Sequence, residues 1–229
     1  MTATFDINLE LDQVESLTAA TLITRVLEQF GSRLAIASSF GPEDIVLIDL
    51  AAKSGLPYRV FTLDTDFLFP ETYVLIDHLE GRFGIEVERC RAALTPAEQV
   101  AAHGEALWSR DPDGCCAIRK VEPLKAKLAT LEAWVTGIRR DQAPTRANAK
   151  KLEWDDKFEL WKANPLADWS AEQVWEYIRV HELPYNPLHD QNYPSIGCTY
   201  CTRPVQPGED PRAGRWSGFA KTECGLHRT

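Results

Sequence analysis

The sequence lacks any long hydrophobic run. Its longest strongly apolar stretch, residues 45–52, is interrupted by Asp49 and falls far short of the ~20 residues that a membrane-spanning helix needs. The acidic start has no basic segment followed by an apolar run, which predicts that there is no secretory signal. Low-complexity segments and internal repeats are lacking as well. We therefore expect a cytoplasmic globular protein that does not enter a membrane.

Positive charge is also scarce. The 229 residues carry 25 Lys and Arg against 34 Asp and Glu, a formal net charge of −9. This balance argues against nucleic acid or an anionic membrane as a partner. The deficit lies in residues 1–100, which hold 7 basic and 16 acidic side chains, whereas residues 110–153 hold 10 basic and 6 acidic ones. The local excess of Arg and Lys favours a pocket for a small anion.

Short apolar segments alternate with segments of helical periodicity along the chain. The predicted strands are 33–38, 59–63, 84–88 and 133–137, and the predicted helices are 10–31, 42–54, 70–80, 116–129 and 171–181. This alternation predicts an α/β fold with a parallel sheet, in which ligands bind beyond the carboxyl ends of the strands. From Leu183 onward turn-forming residues are frequent, which predicts loops ordered around a functional group.

Cysteines are the main candidates for chemistry, and there are six of them: Cys90, Cys115, Cys116, Cys198, Cys201 and Cys224. In a reducing compartment, clustered cysteines indicate metal or redox chemistry more often than disulfides. Four of them form two pairs, one vicinal and one CxxC, and two pairs predict a metal centre. Vicinal cysteines suit two irons of a cluster better than one zinc ion. The spacing leaves zinc, a thioredoxin-like redox pair and simple buried thiols open.

The two remaining cysteines differ in context. Cys224 stands near the end of the chain with Lys221, His227 and Arg228 around it. Nearby cations lower the pKa of a thiol and favour the nucleophilic thiolate, which makes Cys224 a candidate nucleophile; a surface cysteine without a role is the alternative. Cys90 follows a predicted strand and is predicted to be a packed thiol.

Three segments carry groups suited to oxyanions. The loop 38–44 contains two serines and joins a predicted strand to a helix N-terminus, where backbone amides bind anions. Gly137–Gln142 and Arg146 follow the last predicted strand, and Arg212 and Arg215 lie in the terminal loops. Arginine side chains suit bidentate contacts with oxyanions. Ordinary turns and surface ion pairs account for the same residues equally simply.

Together these segments resemble the assimilatory phosphosulfate reductases, in particular the iron–sulfur branch that reduces adenylyl sulfate. The resemblance extends from about residue 20 to the end. It is carried by the loop 38–44, LDT at 63–65, LFPETY at 68–73, Cys115-Cys116 with Lys120, TGIRRDQ at 136–142, GCTYC at 197–201 and KTECGLH at 221–227. One position departs from the LDTG that such proteins usually have, since Asp66 stands in place of the glycine.

The resemblance implies a Rossmann-like, adenine-nucleotide α-hydrolase-like fold with a central, mostly parallel sheet. It implies one reductase domain over 1–229, with a loop-rich and mobile C-terminal segment at about 203–229 that carries the nucleophile, Cys224. The implied ligands of a [4Fe–4S] cluster are Cys115, Cys116, Cys198 and Cys201. The implied substrate-binding residues are Ser38, Ser39, Leu63, Lys120, Gly137, Arg146, Arg212, Arg215 and His227.

The activity that the resemblance implies is reduction of adenylyl sulfate to sulfite and AMP, with thioredoxin as electron donor and a cysteine S-sulfonate as intermediate, in sulfate assimilation and cysteine biosynthesis. Three alternatives stay open: reduction of the 3′-phosphorylated nucleotide, ATP-dependent sulfur transfer to tRNA, and nucleotide binding by a zinc-stabilised protein without catalysis. The acidic charge and the lack of an SGGxDS loop argue against the tRNA enzyme. A homo-oligomer is also left open.

Overall fold

The computed structural model describes residues 13–219 and 221, which form two compact units. Unit 1 comprises the described residues of 13–38, 42–60 and 128–183, and unit 2 comprises 39–41, 61–127 and the described residues from 184 onward. No helix in the described part of the chain combines the length and the apolar character that crossing a membrane requires.

Six strands form one sheet. They are β1 (Leu34–Ala37), β2 (Val60–Asp64), β3 (Val87–Arg91), β4 (Ala133–Val135), β5 (Leu152–Asp155) and β6 (Leu160–Ala163). Their order across the sheet is β3-β2-β1-β4-β6-β5. The β1–β4 and β4–β6 pairs are parallel, and β5 pairs with β6 in the antiparallel direction at the edge. The predicted α/β fold with a mostly parallel sheet is confirmed.

Helices occupy the segments before β1, between β1 and β4, and after β6. The α-helices among the described residues are α1 (Ala19–Phe30), α2 (Pro42–Lys53), α3 (Pro70–Phe83), α4 (Pro96–His103), α5 (Leu107–Arg110), α6 (Pro112–Cys116), α7 (Glu122–Leu128) and α8 (Ala171–Val180). A π-helical turn at Ala117–Val121 separates α6 from α7. Single π-turns inside helices occur frequently at functional sites.

Unit 1 has an aliphatic core. Strand β1 buries Leu34 and Ile36 completely, and helix α2 buries Ile45, Leu47 and Ile48. Burial of a side chain of this size stabilises a fold by about 1.5–3 kcal/mol. The regular burial explains why the apolar runs alone predict β1 and α2.

One predicted helix is interrupted. The sequence predicts a continuous helix over 10–31, and α1 confirms it for Ala19–Phe30, but a turn at residues 15–18 separates α1 from the helical residues 13 and 14. Thr18 caps α1, because its Oγ1 accepts a hydrogen bond from the backbone N–H of Thr21 at 3.2 Å. A threonine cap is a typical helix start, and here it outweighs the apolar periodicity. Residues 10–12 lie outside the described residues.

Two further elements start elsewhere than predicted. The strand predicted at 84–88 lies at Val87–Arg91, because α3 continues to Phe83 and ends at Gly84 with φ +62°. The helix predicted at 116–129 begins at Pro112, since Oδ1 of Asp111 accepts a hydrogen bond from the N–H of Gly114 at 2.8 Å. The β5–β6 pair and helices α4 and α5 are additions to the prediction.

The end of unit 2 is built from turns. Between residue 184 and residue 219 the structure contains short 3₁₀ turns at Pro187–Gln191 and Thr199–Cys201 but no α-helix or strand of several residues. Isolated bridges tie this segment down, one between Leu68 and Cys198 and one between Thr202 and Arg215. The prediction of ordered loops from Leu183 onward is confirmed for the described residues.

Candidate functional site

The vicinal cysteines lie at the end of α6 in unit 2. Cys115 and Cys116 are both buried, and the local chain fixes their position. Asp111 caps the helix, and Gly114 fits against this cap because a Cβ at residue 114 would lie 2.2 Å from Oδ2 of Asp111. The sequence DPDG therefore supplies both the helix start and the close approach that it needs.

The CxxC pair lies in the 3₁₀ turn of the same unit. The backbone N–H of Cys201 donates to the carbonyl oxygen of Cys198 at 3.1 Å, which closes the turn. The N–H of Thr199 donates to the carbonyl oxygen of Phe67 at 2.8 Å, and the N–H of Trp216 donates to that of Cys201 at 3.0 Å. Segments on both sides thus hold Cys198 and Cys201 in place.

The structure brings the two cysteine pairs together. Cys116, Cys198, Cys201 and Trp216 form one buried cluster, and Cys115 interacts electrostatically with Cys116 and Cys198. Aromatic rings shield the cluster: Phe67 and Trp108 pack against it, and Trp108 stacks on Tyr200 with ring centroids 4.5 Å apart. The four cysteines chosen from the sequence as candidate ligands therefore share one site.

The thiols of this site differ in acidity. A hydrogen bond from Cys201, together with the charges of Lys120 and Arg215, lowers the pKa of Cys198 below its ordinary value. The same hydrogen bond and burial raise the pKa of Cys201, and burial raises the pKa of Cys115. A lower pKa favours the thiolate of Cys198, the form in which a cysteine binds a metal.

The four thiols are soft donors of the kind that iron–sulfur clusters take. Among the described residues, no three His, Cys, Asp or Glu side chains are arranged to hold one metal ion. In a [4Fe–4S] cluster each iron takes a single thiolate, so the four sulfurs need not meet at one point. Two buried donors near the thiols, Nε1 of Trp216 and Nη2 of Arg119, find no acceptor within the described chain. A sulfide-bearing group would supply one.

Sequence reasoning missed a charged network beside Cys115. Arg119 is fully buried, and its Nη1 donates to Oδ2 of Asp66 at 2.9 Å. Its Nε donates to Oε1 of Gln99 at 2.6 Å, and Nε2 of Gln99 lies 3.9 Å from Sγ of Cys115. The only local signal is the Arg in CCAIRKV, because its partners are 20 and 53 positions away.

The end of β2 is ordered around a buried carboxylate. Asp64 accepts hydrogen bonds from the hydroxyl of Tyr73 at 2.7 Å and from Nη2 of Arg91 at 2.9 Å. Burial alone would raise the pKa of Asp64, but these hydrogen bonds lower it below its usual value. Burial, together with the hydrogen bond to Asp64, raises the pKa of Tyr73 to about 12. Leu63, a predicted substrate contact, is half-buried on the same strand.

A family model decides where the chain belongs. The model of the phosphoadenosine phosphosulfate reductase domain matches residues 33–204, more than half of the chain. The chain belongs to the phosphoadenosine phosphosulfate reductase family. The suspected resemblance to phosphosulfate reductases is therefore confirmed, and with it the assignment to enzymes that are oxidoreductases of sulfur compounds.

Relatives of this reductase cover nearly its whole length. An adenosine 5′-phosphosulfate reductase from Halalkalibacterium halodurans is 47% identical over 224 residues, which cover 97% of this chain and 96% of that relative. A phosphoadenosine 5′-phosphosulfate reductase from Gloeobacter violaceus is 48% identical over 218 residues, which cover 94% and 90%. These two relatives are named for different nucleotides, and their identities to this chain are nearly equal. Sequence identity alone therefore does not distinguish the two substrates.

Solved structures agree on the fold. The crystal structure of phosphoadenylyl-sulfate reductase from Candida auris in a phosphate complex superposes on this reductase with a TM-score of 0.75 and 26% identity, covering 89% of this chain and 98% of that one. An FMN adenylyltransferase from Candida glabrata, at 15% identity and a TM-score of 0.61, shares the fold alone. Both are consistent with a fold of the adenine-nucleotide α-hydrolase type.

Arg215, a predicted cation of unit 2, contacts a hydroxyl and an aromatic ring. Arg215 donates from Nη1 to Oγ of Ser195 at 3.1 Å and lies over the ring of Trp216 at 4.6 Å. Within the described residues it has no carboxylate partner, and a Cβ at Gly197 would lie 2.3 Å from its Nη2. Arg212 is half-buried. The guanidinium of Arg215 thus contacts a hydroxyl, a carbonyl oxygen and an aromatic ring.

The predicted residues of unit 1 include one close packing point. A Cβ at Gly137 would lie 2.5 Å from Oδ1 of Asp44, so glycine is needed where the chain leaves β4. In the same segment Nε of Arg139 donates to Oε1 of Glu43 at 2.9 Å, a structural ion pair at the start of α2. Arg146 donates from Nη1 to Oε1 of Gln142 at 2.6 Å.

The remaining predicted residues fall into two groups. Ser38 is buried and Ser39 is exposed, in the segment that leads into α2. Cys224 and His227 lie outside the described residues, so their assigned roles stay predictions. Lys221, three positions before Cys224, donates from Nζ to Oδ1 of Asp113 at 2.6 Å and to the carbonyl oxygen of Pro112 at 3.1 Å.

Proposed function

We propose that this protein reduces adenylyl sulfate to sulfite and AMP with thioredoxin as the electron donor. The observation that carries the proposal is the buried four-cysteine site with Lys120 and Arg215 acting on its thiols. It is supported by the family and by relatives named adenosine 5′-phosphosulfate reductase. The same proposal includes a cytoplasmic location, a role in sulfate assimilation and a single reductase domain over 1–229.

The first step is nucleophilic attack by Cys224. Its thiolate attacks the sulfur of the sulfuryl group, a Cys–S bond forms, the bond between that sulfur and the bridging phosphate oxygen breaks, and AMP leaves with the electron pair. The attacked group is surrounded by anionic oxygens, so cations must offset the repulsion. Arg215, which has no carboxylate partner among the described residues, and Lys120 are suited to this role.

The second step releases sulfite. A thiolate of thioredoxin attacks Sγ of the Cys224 S-sulfonate, so that sulfite leaves with the S–S bonding electrons and a mixed disulfide remains. The second thiol of thioredoxin then attacks this disulfide, regenerates the Cys224 thiolate and leaves oxidised thioredoxin. The two electrons that reduce the sulfuryl group thus come from one dithiol.

We propose that the four buried cysteines hold a [4Fe–4S] cluster. Their soft thiolate donors, their burial and the unpaired N–H groups of Trp216 and Arg119 support this assignment. When bound, such a cluster supplies a structural link between the two cysteine segments and a polarisable charge beside the cations. The positive charges of Lys120 and Arg215 attract the anionic substrate.

Substrate contacts beyond these cations are proposed on the motifs alone. They are Ser38, Ser39, Leu63, Gly137, Arg146, Arg212 and His227. The presence of both cysteine pairs favours the unphosphorylated nucleotide, because the reductases of the 3′-phosphorylated nucleotide that this chain resembles typically lack the cluster cysteines.

The test is sulfite release from adenylyl sulfate and from its 3′-phosphorylated form, with thioredoxin in both assays. We expect adenylyl sulfate to be the better substrate; preference for the other nucleotide would overturn the substrate assignment. Without thioredoxin, the wild-type protein should release at most about one AMP per chain and gain a sulfonate mass on the peptide that contains Cys224.

Two cysteine variants separate the nucleophile from a bystander. Cys224→Ser should still bind nucleotide but release no sulfite, because a serine hydroxyl without an adjacent base is not ionised at neutral pH. Cys90→Ser is the matched control, since Cys90 is a half-buried thiol outside the four-cysteine site. Sulfonate on Cys90, or turnover by Cys224→Ser, would remove Cys224 from the mechanism.

A further inference from the structure

Arg119 is a buried cation for which the reaction proposed above has no use. Its side chain is 1% exposed and lies in the π-helical turn that follows Cys116. A buried charge is costly unless it is paired and hydrogen-bonded. Its partners therefore indicate what it does, and they are Asp66 on one side and Gln99 on the other, with the ring of Phe67 5.0 Å away.

Gln99 links this cation to a cysteine. The side chain is buried in α4, and its Oε1 accepts from Nε of Arg119 at 2.6 Å. An amide whose oxygen is fixed on a guanidinium must turn its NH₂ group the other way. That group lies 3.9 Å from Sγ of Cys115. Arg119 thus determines that Gln99 presents a donor, and not an acceptor, to the sulfur.

Asp66 holds the other end of the network at a backbone cost. Its φ of +59° lies in the left-handed region, which is unfavourable for a residue with a side chain. Its carboxylate accepts from Arg119 at 2.9 Å and lies 3.9 Å from Nε of Arg91. An aspartate where LDTG motifs have glycine is therefore explained by what its side chain binds.

We propose that Gln99 is a positioning residue for Cys115, and that Asp66 and Arg119 fix it in the orientation that donates an N–H to the Cys115 sulfur. A donor and a buried positive charge on this side stabilise the electron-rich thiolate that a cluster iron needs. The inference rests on the proposed cluster. It adds that one of the four ligands is controlled by a network running back to the end of β2.

The test compares Gln99→Glu with the wild-type protein, both purified anaerobically and enriched in ⁵⁷Fe. Glutamate keeps an acceptor for Arg119 but removes the N–H donor and brings a negative charge to Cys115. We expect altered Mössbauer parameters for one iron site and about tenfold faster iron release to a chelator. Unchanged spectra and release rate would overturn the inference.

Lys127→Met is the control for general destabilisation of unit 2. Lys127 is also a buried cation of unit 2, and it pairs with Glu88 at 2.6 Å. This variant should lose stability without any change in the iron spectrum. An equal spectral change in Lys127→Met would show that general destabilisation, and not the Gln99 contact, moves the signal.

Asp66 variants test the far end of the network. Asp66→Gly relieves the positive φ but deletes the carboxylate, whereas Asp66→Asn keeps the shape and removes the charge. Both should release iron faster than the wild type if pairing with Arg119 matters. If Asp66→Gly behaves as the wild type, Asp66 is not part of the network. Wild-type protein without iron and sulfide would instead refute the proposed cluster itself.

Discussion

The core of unit 1 and the cysteine region of unit 2 are held together by different forces. Around β1 and α2 the interior is aliphatic, with Leu34, Ile36 and Leu47 fully buried. The interior of unit 2 contains Arg119, beside Cys115, and Asp64, at the end of β2, each about as buried as those side chains. Aliphatic burial is favourable in any packing that excludes water, whereas buried charges and thiols depend on particular partners. Order in the cysteine region is therefore conditional on those partners.

The largest effect should follow loss of one proposed ligand. Cys201→Ser removes one of four thiolates, and because metal binding and folding are coupled we expect loss of most iron together with reductase activity. Iron and sulfide content and thermal unfolding measure this. Cys90→Ser, at a half-buried thiol elsewhere in unit 2, should keep both. Full iron content in Cys201→Ser would contradict the ligand assignment.

A cavity in unit 1 should lower stability but leave the iron in place. Leu47 is fully buried, and replacing such a leucine by alanine costs about 2–5 kcal/mol. Denaturant unfolding of Leu47→Ala should show that loss while iron per folded chain equals that of the wild type. Loss of iron in folded Leu47→Ala would show that iron binding depends on the aliphatic core of unit 1.

A smaller effect is expected where a charge faces the substrate. Arg215→Ala removes a guanidinium that has no carboxylate partner among the described residues, and a charge-assisted hydrogen bond contributes about 1.5–3 kcal/mol. The Kd for adenylyl sulfate, measured by calorimetry, should rise roughly 10- to 100-fold, with iron content unchanged.

Arg203→Ala is the control for this variant. Arg203 lies nearby in sequence but already pairs with Glu209 at 2.8 Å, so its charge is not free for an anion. Its replacement should leave the affinity for nucleotide within about twofold of the wild type. Equal losses of affinity in both variants would mean that Arg215 acts only through the net charge of this segment.

The smallest effect concerns acid stability. The folded-state pKa of Asp64 lies below the ordinary value of 3.8, so the unfolded chain binds the proton more readily. The contribution of Asp64 to stability is therefore present above pH 3.8 and is lost as the pH falls through the lowered pKa. Unfolding free energy of Asp64→Asn should fall less steeply with acidification than that of the wild type. Parallel curves would contradict this assignment.

Local signals were sufficient for the elements that carry regular burial. Neighbouring residues determine where helices α2 and α3 begin, since each starts with a proline followed by an acidic residue, Pro42 and Pro70. They also determine the apolar strands β1 and β2. The sequence therefore predicts all four elements. The β5–β6 pair is different: each strand has only four residues, which is too short for a period of two to stand out from the surrounding sequence. Its formation depends on pairing with β4, which no local rule registers.

The grouping of the four cysteines was predictable from the sequence, but the residues around them were not. Two cysteine pairs of distinctive spacing identify Cys115, Cys116, Cys198 and Cys201 from the sequence alone. The pairing of Arg119 with Asp66 joins residues 53 positions apart, and local patterns carry no information about such contacts. The aspartate in LDTD was visible as a departure from the usual glycine, but its ion pair with Arg119 is visible only in the structure.

Elemental analysis of anaerobically purified wild-type protein shows whether the four buried cysteines hold a cluster. If they do, the protein contains about four irons and four sulfides per chain and is brown. One zinc per chain without sulfide, or thiols that bind no metal at all, would refute the proposed [4Fe–4S] cluster.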